Sequence, residues 1–169
     1  APGGKTTQIA ALTGNNSRIT ACEMNAIRAE RLKYNIEKQG ATNVYTLVTD
    51  SRKIDSFFSF DGVLLDAPCS GSGTLNFQDG SILHFTIKLI EKCKKFQLDL
   101  LSKAVEVLKV GHEMVYSTCS ILQEENEEII NKVLKKGKVE IIPINLENYA
   151  AVPLLPTKIN GTMCIMPNA

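Results

Sequence analysis

The sequence predicts an α/β fold with a doubly wound, mostly parallel sheet. Apolar runs of strand length alternate with segments of helical periodicity. The run FDGVLLDAP, residues 60–68, is almost continuously apolar, which is typical of a strand buried on both faces of a parallel sheet. A glycine-rich turn, APGGK at residues 1–5, leads directly into a helical segment. These observations favour strand–helix repeats over a helical bundle or an all-β domain.

Four elements are predicted in the first fifty residues. A short helix opens on the Gly-Gly turn and covers residues 5–12. A strand follows over 18–24, and a helix over 25–39 ends at Gly40, a residue suited to a left-handed cap. A second strand is predicted over 43–50.

The middle of the chain is predicted to hold the buried strand, a loop and a long helix. The strand is the apolar run 60–68, and the loop continues to about His84. Apolar spacing then indicates a helix over 86–108, or two helices broken near Lys95.

The last part of the chain is predicted to begin with a strand over 112–118. Residues 122–138 carry acids in their first turns and lysines in their last, the order that the helix dipole favours, so an amphipathic helix is expected. Two edge strands are expected over 139–144 and 161–167.

Composition indicates an ordinary globular domain. The 169 residues are 44% apolar, which suits one domain over 1–169. The formal charge is +1, so composition gives no argument for an electrostatic nucleic-acid binder, and no apolar stretch has the length of a membrane span. The five cysteines show no metal-type pairing, so we expect no metal and a reducing, cytoplasmic setting.

Polar and thiol side chains follow the predicted strands. Glu23, Asp50 and Asp66 end three of them, Cys119 follows the strand 112–118, and Cys69 lies just after Asp66. Ligands of doubly wound sheets bind beyond the carboxyl ends of the strands. The sequence therefore predicts a site at this edge that contains carboxylates and two thiols.

The Gly3-Gly4 turn and Glu23 together suggest a nucleoside ligand. Glycines before a helix let backbone N–H groups approach a ligand, and an acid at the next strand end can bind a ribose diol. From these residues alone, a simple tight turn is an equally good explanation.

A phosphate-binding loop is the competing interpretation. GGKTT could end such a loop, and VLLDAP could supply the strand with its magnesium-binding acid, which would make the protein an NTPase. That alternative gives no role to Cys69, Cys119 or Glu23.

Three motifs make a family resemblance specific. APGGKTT, DAPCSGSG and YSTCSILQEENEE, in this order and spacing, resemble the Nol1/Nop2/Sun (Fmu) family of RNA cytosine-5 methyltransferases, which use S-adenosylmethionine. The resemblance runs from residue 1 to about 142, and GTMCIMPNA is similar to the approach to the family's last strand pair. It implies a Rossmann-like methyltransferase domain that is truncated at both ends.

The resemblance implies a role for each thiol. Cytosine C5 is a poor nucleophile, so a thiolate first adds to C6 and thereby activates C5. By resemblance the attacking thiol is Cys119, while Cys69 assists collapse of the adduct and product release. Asp66 resembles the family acid that contacts the cytosine edge and the cofactor. The residues alone do not say which thiol attacks.

The resemblance also implies a cofactor pocket. Asp50 matches the residue beside the adenine and Glu23 the ribose-binding acid, while a solvated helix-face charge is an equal alternative for Arg28. The implied cofactor-binding residues are Ala1, Pro2, Gly3, Gly4, Lys5, Glu23, Arg28, Asp50 and Asp66.

The implied partner is an RNA substrate, either ribosomal or transfer RNA. A catalytically inactive fold that binds RNA or another partner is the remaining alternative. The acidic run with Glu124, Glu125, Glu127, Glu128 and Asn126 resembles the family, but a helix N-terminus attracts acids anyway, so we interpret it as mainly structural.

One expectation concerns strand order. The family's first strand, central in the sheet, would precede Ala1. Neighbouring strands lie ~4.8 Å apart, so we expect a gap of roughly twice that between the strands ending at Glu23 and Asp66, and no direct pairing of the two.

Overall fold

A computed structural model of the chain describes residues 2–75 and 85–167. Parallel strand pairs alternate with helices in the described ranges, so the predicted α/β class is confirmed. Two units can be distinguished, Ala1–Asp55 and Ser56–Ala169. Within the described ranges, no helix is both long and apolar enough to cross a bilayer.

The first unit contains the four predicted elements. Helix α1 covers Gly4–Leu12, strand β1 Ile19–Glu23, helix α2 Ala26–Lys38 and strand β2 Val44–Val48. The two strands are parallel neighbours, and their register brings Glu23 opposite Val48. Both strands thus end at the same edge.

Helix α2 shows how the sequence sets its own boundaries. The side chain of Asn25 caps the first turn by accepting a backbone N–H three residues later at 3.0 Å. The chain leaves the helix through Gly40, whose φ of +69° is left-handed. Leu32 and Ile36 are buried on the inner face, where they form a core cluster with Ala21 of β1.

The second unit contains the elements that carry the two thiol motifs. Strand β3 covers Phe60–Asp66, helix α3 Ile87–Val107, strand β4 Leu108–Ser117 and helix α4 Glu127–Leu134. Strands β3 and β4 are parallel and paired up to their last residues. The described strands form three separate two-stranded sheets, in which β1 pairs with β2, β3 with β4 and a third pair follows near the end of the chain.

Helix α3 is continuous, so the alternative of two helices broken near Lys95 is wrong. Strand β4 begins directly after it, four residues earlier than the predicted start at 112. Residues 76–84 of the predicted loop, including His84, lie outside the described residues.

The prediction that β3 is buried on both faces is wrong. Leu65 packs with Met114 and Tyr116 against the core formed by α3 and α4. On the opposite face, Leu64 is 41% exposed and its β4 partner Val115 is 58% exposed. Side chains of a strand alternate between faces, and α3 and α4 contribute their core cluster to one face only.

The predicted helix over 122–138 is shorter than expected. Gln123–Glu125 form a 3₁₀ turn, and Asn126 interrupts the helical geometry with φ −117° and ψ −87°. The continuous helix therefore begins only at Glu127 and ends at Leu134. The side-chain contacts of Asn126, described below, explain this interruption.

The edge strand predicted over 139–144 is wrong, because the structure assigns no strand there. Pro143 has no N–H to donate to a ladder, and the backbone N–H of Ile144 donates a single hydrogen bond to the carbonyl of Gly161. The predicted final strand is confirmed in shortened form as β6, Cys164–Ile165, antiparallel to β5, Leu154–Leu155.

Candidate active site

The two thiols of the sequence motifs meet at the end of the β3–β4 pair. Asp66 and Ser117 are partners at the last position of the ladder, so both strands release their following loops at one edge. Cys69 and Cys119 lie on these loops, with their Sγ atoms 3.0 Å apart. Cys119 is exposed and Cys69 is half-buried. One small molecule or base could therefore reach both sulfurs from the Cys119 side.

The carboxylate of Asp66 lies at the same edge. The Ser117 hydroxyl donates a hydrogen bond to Asp66 Oδ1 at 3.2 Å, and the N–H of Ala67 donates to the carbonyl of Ser117 at 2.9 Å. The Asp66 side chain is exposed. The site thus combines an accessible carboxylate with an accessible thiol.

Two fully buried polar side chains hold the loop that carries Cys69. The carboxylate of Glu125 accepts hydrogen bonds from the N–H of Ser70 at 2.7 Å and from its hydroxyl at 2.5 Å. On the other side of the cysteine, Gln97 Nε2 donates to the carbonyl of Pro68 at 2.9 Å. Gln97 and Glu125 are both 0% exposed.

A second set of contacts joins the two thiol loops to each other. The hydroxyls of Ser72 and Ser120 are 2.8 Å apart, and Ser72 Oγ accepts the N–H of Ile121 at 2.9 Å. The N–H of Gly73 donates to the carbonyl of Cys119 at 3.0 Å. These bonds fix the relative position of the two thiols.

Asn126 shapes the loop after Cys119. Its amide nitrogen donates to the carbonyls of Ser120 at 2.9 Å and Leu122 at 2.8 Å. Its amide oxygen accepts the Thr118 hydroxyl at 2.7 Å. The loop therefore depends on a side chain that bonds two backbone carbonyls after Cys119 and the Thr118 hydroxyl before it, and this explains why the helix is interrupted at Asn126.

The thiol pair is electrostatically unequal. Burial, followed by the hydrogen bond with Cys119 and the charge of that thiol, raises the pKa of Cys69 to about 12. Cys69 is therefore protonated at neutral pH, so its S–H can donate a hydrogen bond to the sulfur of Cys119.

In the first unit, the glycine turn is tightly constrained at one glycine and open at the other. Gly3 precedes α1 with φ +110°, and a Cβ there would lie 2.8 Å from Leu32 Cδ1. Among the residues that the structure describes, a Cβ on Gly4 would have nothing within 4 Å. Pro2 accepts a hydrogen bond from Asn35 Nδ2 at 2.6 Å, while Ala1 lies outside the described residues. The turn thus leaves open space where the N-terminus of a helix can receive a ligand.

The side chain of Glu23 is held in position at the end of β1. Its Oε2 atom forms an ion pair with Arg28 Nε at 3.1 Å, and its Oε1 accepts the N–H of Asn25 at 2.9 Å. The Glu23 side chain is 10% exposed and that of Arg28 57%. Arg28 is therefore not merely a solvated helix-face charge, because it orients the predicted ribose-binding acid.

Asp50 lies near Glu23 at the edge of the same sheet, where the N–H of Thr49 donates to the carbonyl of Glu23 at 3.1 Å. Its carboxylate accepts Arg52 Nε at 3.0 Å, and its Oδ2 is 2.6 Å from the terminal guanidinium nitrogen. The bond with the Arg52 side chain lowers the pKa of Asp50. Lys5, in the first turn of α1, is exposed.

Gln97 and Glu125 are not among the residues that the sequence predicts for the site. The acidic run suggests a helix N-terminus, yet Glu125 points inward to the Cys69 loop instead of lying at a solvated helix end. A usable signal existed for Gln97. It is the polar member of the buried α3 stripe that also contains Cys93, Leu101 and Ala104, and a polar residue in an apolar stripe indicates a buried hydrogen bond.

The sequence matches one protein-family model over residues 1–168, described as the 16S rRNA methyltransferase RsmB/F family. It is 39% identical over 138 residues to the ribosomal RNA small subunit methyltransferase F of Aeromonas salmonicida, covering 80% of this chain and 29% of the relative. It is 38% identical over 152 residues to the mouse 28S rRNA (cytosine-C(5))-methyltransferase, covering 87% and 19%. The chain thus spans less than a third of these two relatives.

A solved structure has a similar fold. The crystal structure of NSun6 from Pyrococcus horikoshii with SFG superposes with a TM-score of 0.75 at 36% sequence identity. The match covers 85% of this chain and 38% of that one.

Proposed function

Because the chain belongs to the RsmB/F family of 16S rRNA methyltransferases, we propose that it methylates C5 of a cytosine in RNA through a covalent Cys119 adduct. The observation that carries this proposal is the 3.0 Å contact between Cys69 and Cys119, on loops that leave one sheet edge beside Asp66. Two thiols and an acid at one accessible point match what the reaction requires. These requirements are a nucleophile, a proton acceptor and a group that stabilises charge in the cytosine ring.

Cys119 is the nucleophile, because its sulfur is the exposed one. Its thiolate adds to C6 of the cytosine, and the electron pair of the C5–C6 double bond shifts toward C5. Bound S-adenosylmethionine supplies the methyl group that C5 takes up.

Cys69 then acts as the base. Once the Cys119 sulfur is bonded to C6 it is a neutral thioether, so two of the causes that raise the pKa of Cys69, the thiol hydrogen bond and the neighbouring charge, disappear. Burial still raises the pKa of Cys69, but the pKa falls from its value in the free thiol pair, so the Cys69 S–H can lose its proton to solvent and the resulting thiolate can take the proton from C5. The electrons of that C–H bond restore the double bond, and Cys119 leaves as a thiolate.

Asp66 is assigned to the cytosine edge. Addition at C6 moves electron density into the ring, and a carboxyl group that shares a proton with N3 stabilises that charge. Ser117 orients this carboxyl group through its 3.2 Å hydrogen bond.

The first unit offers groups that fit the nucleoside of S-adenosylmethionine. The open space at Gly4 admits a ligand to the start of α1, and Glu23 and Asp50 present carboxylates at the edge of one sheet. We assign Glu23 to the ribose and Asp50 to the adenine side, with Pro2, Gly3 and Lys5 around the turn and Arg28 orienting Glu23. The relative solved with SFG, an analogue of S-adenosylmethionine, supports this assignment.

Ribosomal RNA is the proposed substrate, since both relatives are named for it. We propose that residues 1–169 act as one catalytic domain, in the cytoplasm, where cysteines stay reduced. The alternative NTPase function is not favoured by any of these similarities.

The test uses the full-length protein that contains this chain, with labelled S-adenosylmethionine and ribosomal RNA. Wild type is compared with Cys119→Ala and Cys69→Ala, and covalent protein–RNA adducts are separated on a denaturing gel. We expect Cys119→Ala to lose both methylation and adduct, and Cys69→Ala to accumulate adduct. Methylation by both variants would overturn the proposed chemistry, and labelling by ATP in place of S-adenosylmethionine would favour an NTPase.

A further inference from the structure

Two buried side chains hold the residues on either side of Cys69. Gln97 on α3 donates to the carbonyl of Pro68, and Glu125 accepts two hydrogen bonds from Ser70. We propose that Gln97 and Glu125 are positioning residues that hold Cys69 in place for the release of the methylated product. This inference rests on the proposed function, because release is the step assigned there to Cys69.

The burial of Gln97 in the core lowers the stability of the fold. Gln97 is 0% exposed, and within the described residues its Oε1 atom has no hydrogen-bond partner. A buried amide oxygen without a partner is unfavourable, so an apolar residue of similar size would suit the packing better. The bond from Nε2 to Pro68 is what an apolar residue could not supply.

Glu125 is itself held rigidly. Its carboxylate bonds Ser70 through both the backbone N–H and the hydroxyl, and charge-assisted bonds of this kind are strong. The Tyr116 hydroxyl donates to the backbone carbonyl of Glu125 at 2.9 Å. Tyr116 belongs to β4, so this bond anchors Glu125 to the same strand that leads to Cys119.

We call the hydrogen bonds from Gln97 and Glu125 on either side of Cys69 the bracket. The shape of the loop around Cys119 does not depend on this bracket. The loop after it is held by Asn126, which bonds the backbone of Ser120 and Leu122. Weakening the bracket around Cys69 should therefore impair proton removal and release, while addition of Cys119 to the base continues. A general loss of stability would impair both steps together.

The experiment compares Gln97→Met and Glu125→Gln with the matched control Glu124→Gln, an exposed carboxylate in the same turn. Met keeps the volume of Gln97 and removes the donor, and Gln keeps the shape of Glu125 and removes the charge. We expect the covalent adduct to form at the wild-type rate and to accumulate, while turnover falls about 10- to 100-fold, the usual cost of a small misplacement of a catalytic group. The control should behave as wild type.

A second measurement needs no RNA. Phenylarsine oxide bridges two neighbouring thiols with loss of water, so its affinity reports how well Cys69 faces Cys119. We expect phenylarsine oxide to bind about tenfold more weakly to Gln97→Met and Glu125→Gln, because a small displacement of Cys69 would separate the two thiols that it bridges. Ser70→Ala, which removes one bond from the loop side, should show a smaller change in the same direction and serves if a core variant fails to fold.

The outcomes distinguish a failure of the positioning role of Gln97 and Glu125 from a failure of the role assigned to Cys69. If Cys69→Ala accumulates adduct but Gln97→Met and Glu125→Gln do not, and arsenical binding is unchanged, the positioning role is wrong. If Cys69→Ala itself accumulates no adduct, the assigned role of Cys69 is wrong, and arsenical binding alone then decides whether the bracket positions the thiol.

Discussion

Cys69 and Cys119 are fifty positions apart in the sequence, yet their sulfur atoms lie 3.0 Å apart, with only Cys119 exposed. This contact contributes to the protonation of Cys69, because burial and the Cys119 neighbour together raise the pKa of Cys69 to about 12. Removing the Cys119 thiol should therefore have a measurable effect on Cys69.

The first prediction concerns Cys119→Ala. The variant removes the thiol hydrogen bond and the neighbouring charge, so the pKa of Cys69 should fall, although burial still keeps it above its ordinary value of 9.0. Alkylation follows the thiolate fraction, so iodoacetamide should modify Cys69 at least several-fold faster at pH 9 than in wild type. Peptide mass spectrometry over a pH series measures the rate at this residue.

Cys164→Ala is the control for that experiment, because this thiol lies on β6, outside the two loops that carry Cys69 and Cys119. Its removal should leave the alkylation profile of Cys69 unchanged. An identical Cys69 profile in wild type and Cys119→Ala would show that Cys119 does not raise the pKa of Cys69.

The fold class and the meeting of the two thiols could be predicted from sequence, because both depend on local patterns. Alternation of strands and helices is visible in residue order, and parallel strands necessarily bring their following loops to one edge. The burial of β3 could not be predicted, since Leu64 is as apolar as Leu65 and only the helix layer decides which one is covered. The role of Glu125 in holding the Cys69 loop could not be predicted, because it depends on the direction in which the side chain points. The neighbouring Glu124 has the same side chain, yet it is exposed.

The second prediction concerns Gly73→Ala. A Cβ on Gly73 would lie 2.9 Å from the carbonyl oxygen of Cys119 and 3.3 Å from Ile121 Cγ2. The backbone must move, so the two thiol loops should separate, with a loss of about 1–3 kcal/mol in the free energy of unfolding and a loss of methylation. Denaturant unfolding and phenylarsine oxide affinity measure the two effects.

Gly62→Ala is the matched control, because a Cβ there would meet its nearest atom, the carbonyl of Glu113, only at 3.9 Å. It should leave arsenical affinity unchanged. Equal arsenical affinity for Gly73→Ala and wild type would show that the loops tolerate the methyl group and that the close approach is unimportant.

The third prediction concerns the acid side of the pH range. Asp50 has a pKa below its ordinary 3.8, chiefly because of the Arg52 side chain. A lowered pKa in the folded state adds stability that is present above the unfolded pKa and is lost as the pH falls through the folded one. Arg52→Gln should therefore raise the titration midpoint of Asp50 toward 3.8 and remove part of this acid-dependent stability.

Carbon NMR of the Asp50 carboxyl group measures the midpoint directly. Lys53→Gln is the control, since the Lys53 charge is the smallest of the causes that lower this pKa. It should shift the midpoint less than Arg52→Gln. Equal shifts for the two variants would mean that net charge alone sets the pKa, without the Arg52 hydrogen bonds.

The last prediction uses the two adjacent glycines of the turn before α1. Gly3→Ala forces a side chain into a left-handed conformation and against Leu32, so it should cost about 1–3 kcal/mol of stability. Gly4→Ala meets no atom of the described part of the chain within 4 Å and should leave thermal unfolding unchanged. If the open space at Gly4 receives the cofactor, this added methyl group should still weaken S-adenosylmethionine binding, measured by calorimetry, at least tenfold. Unchanged affinity in Gly4→Ala would place the cofactor away from this turn, because there the methyl group would have no protein neighbour and no ligand to displace.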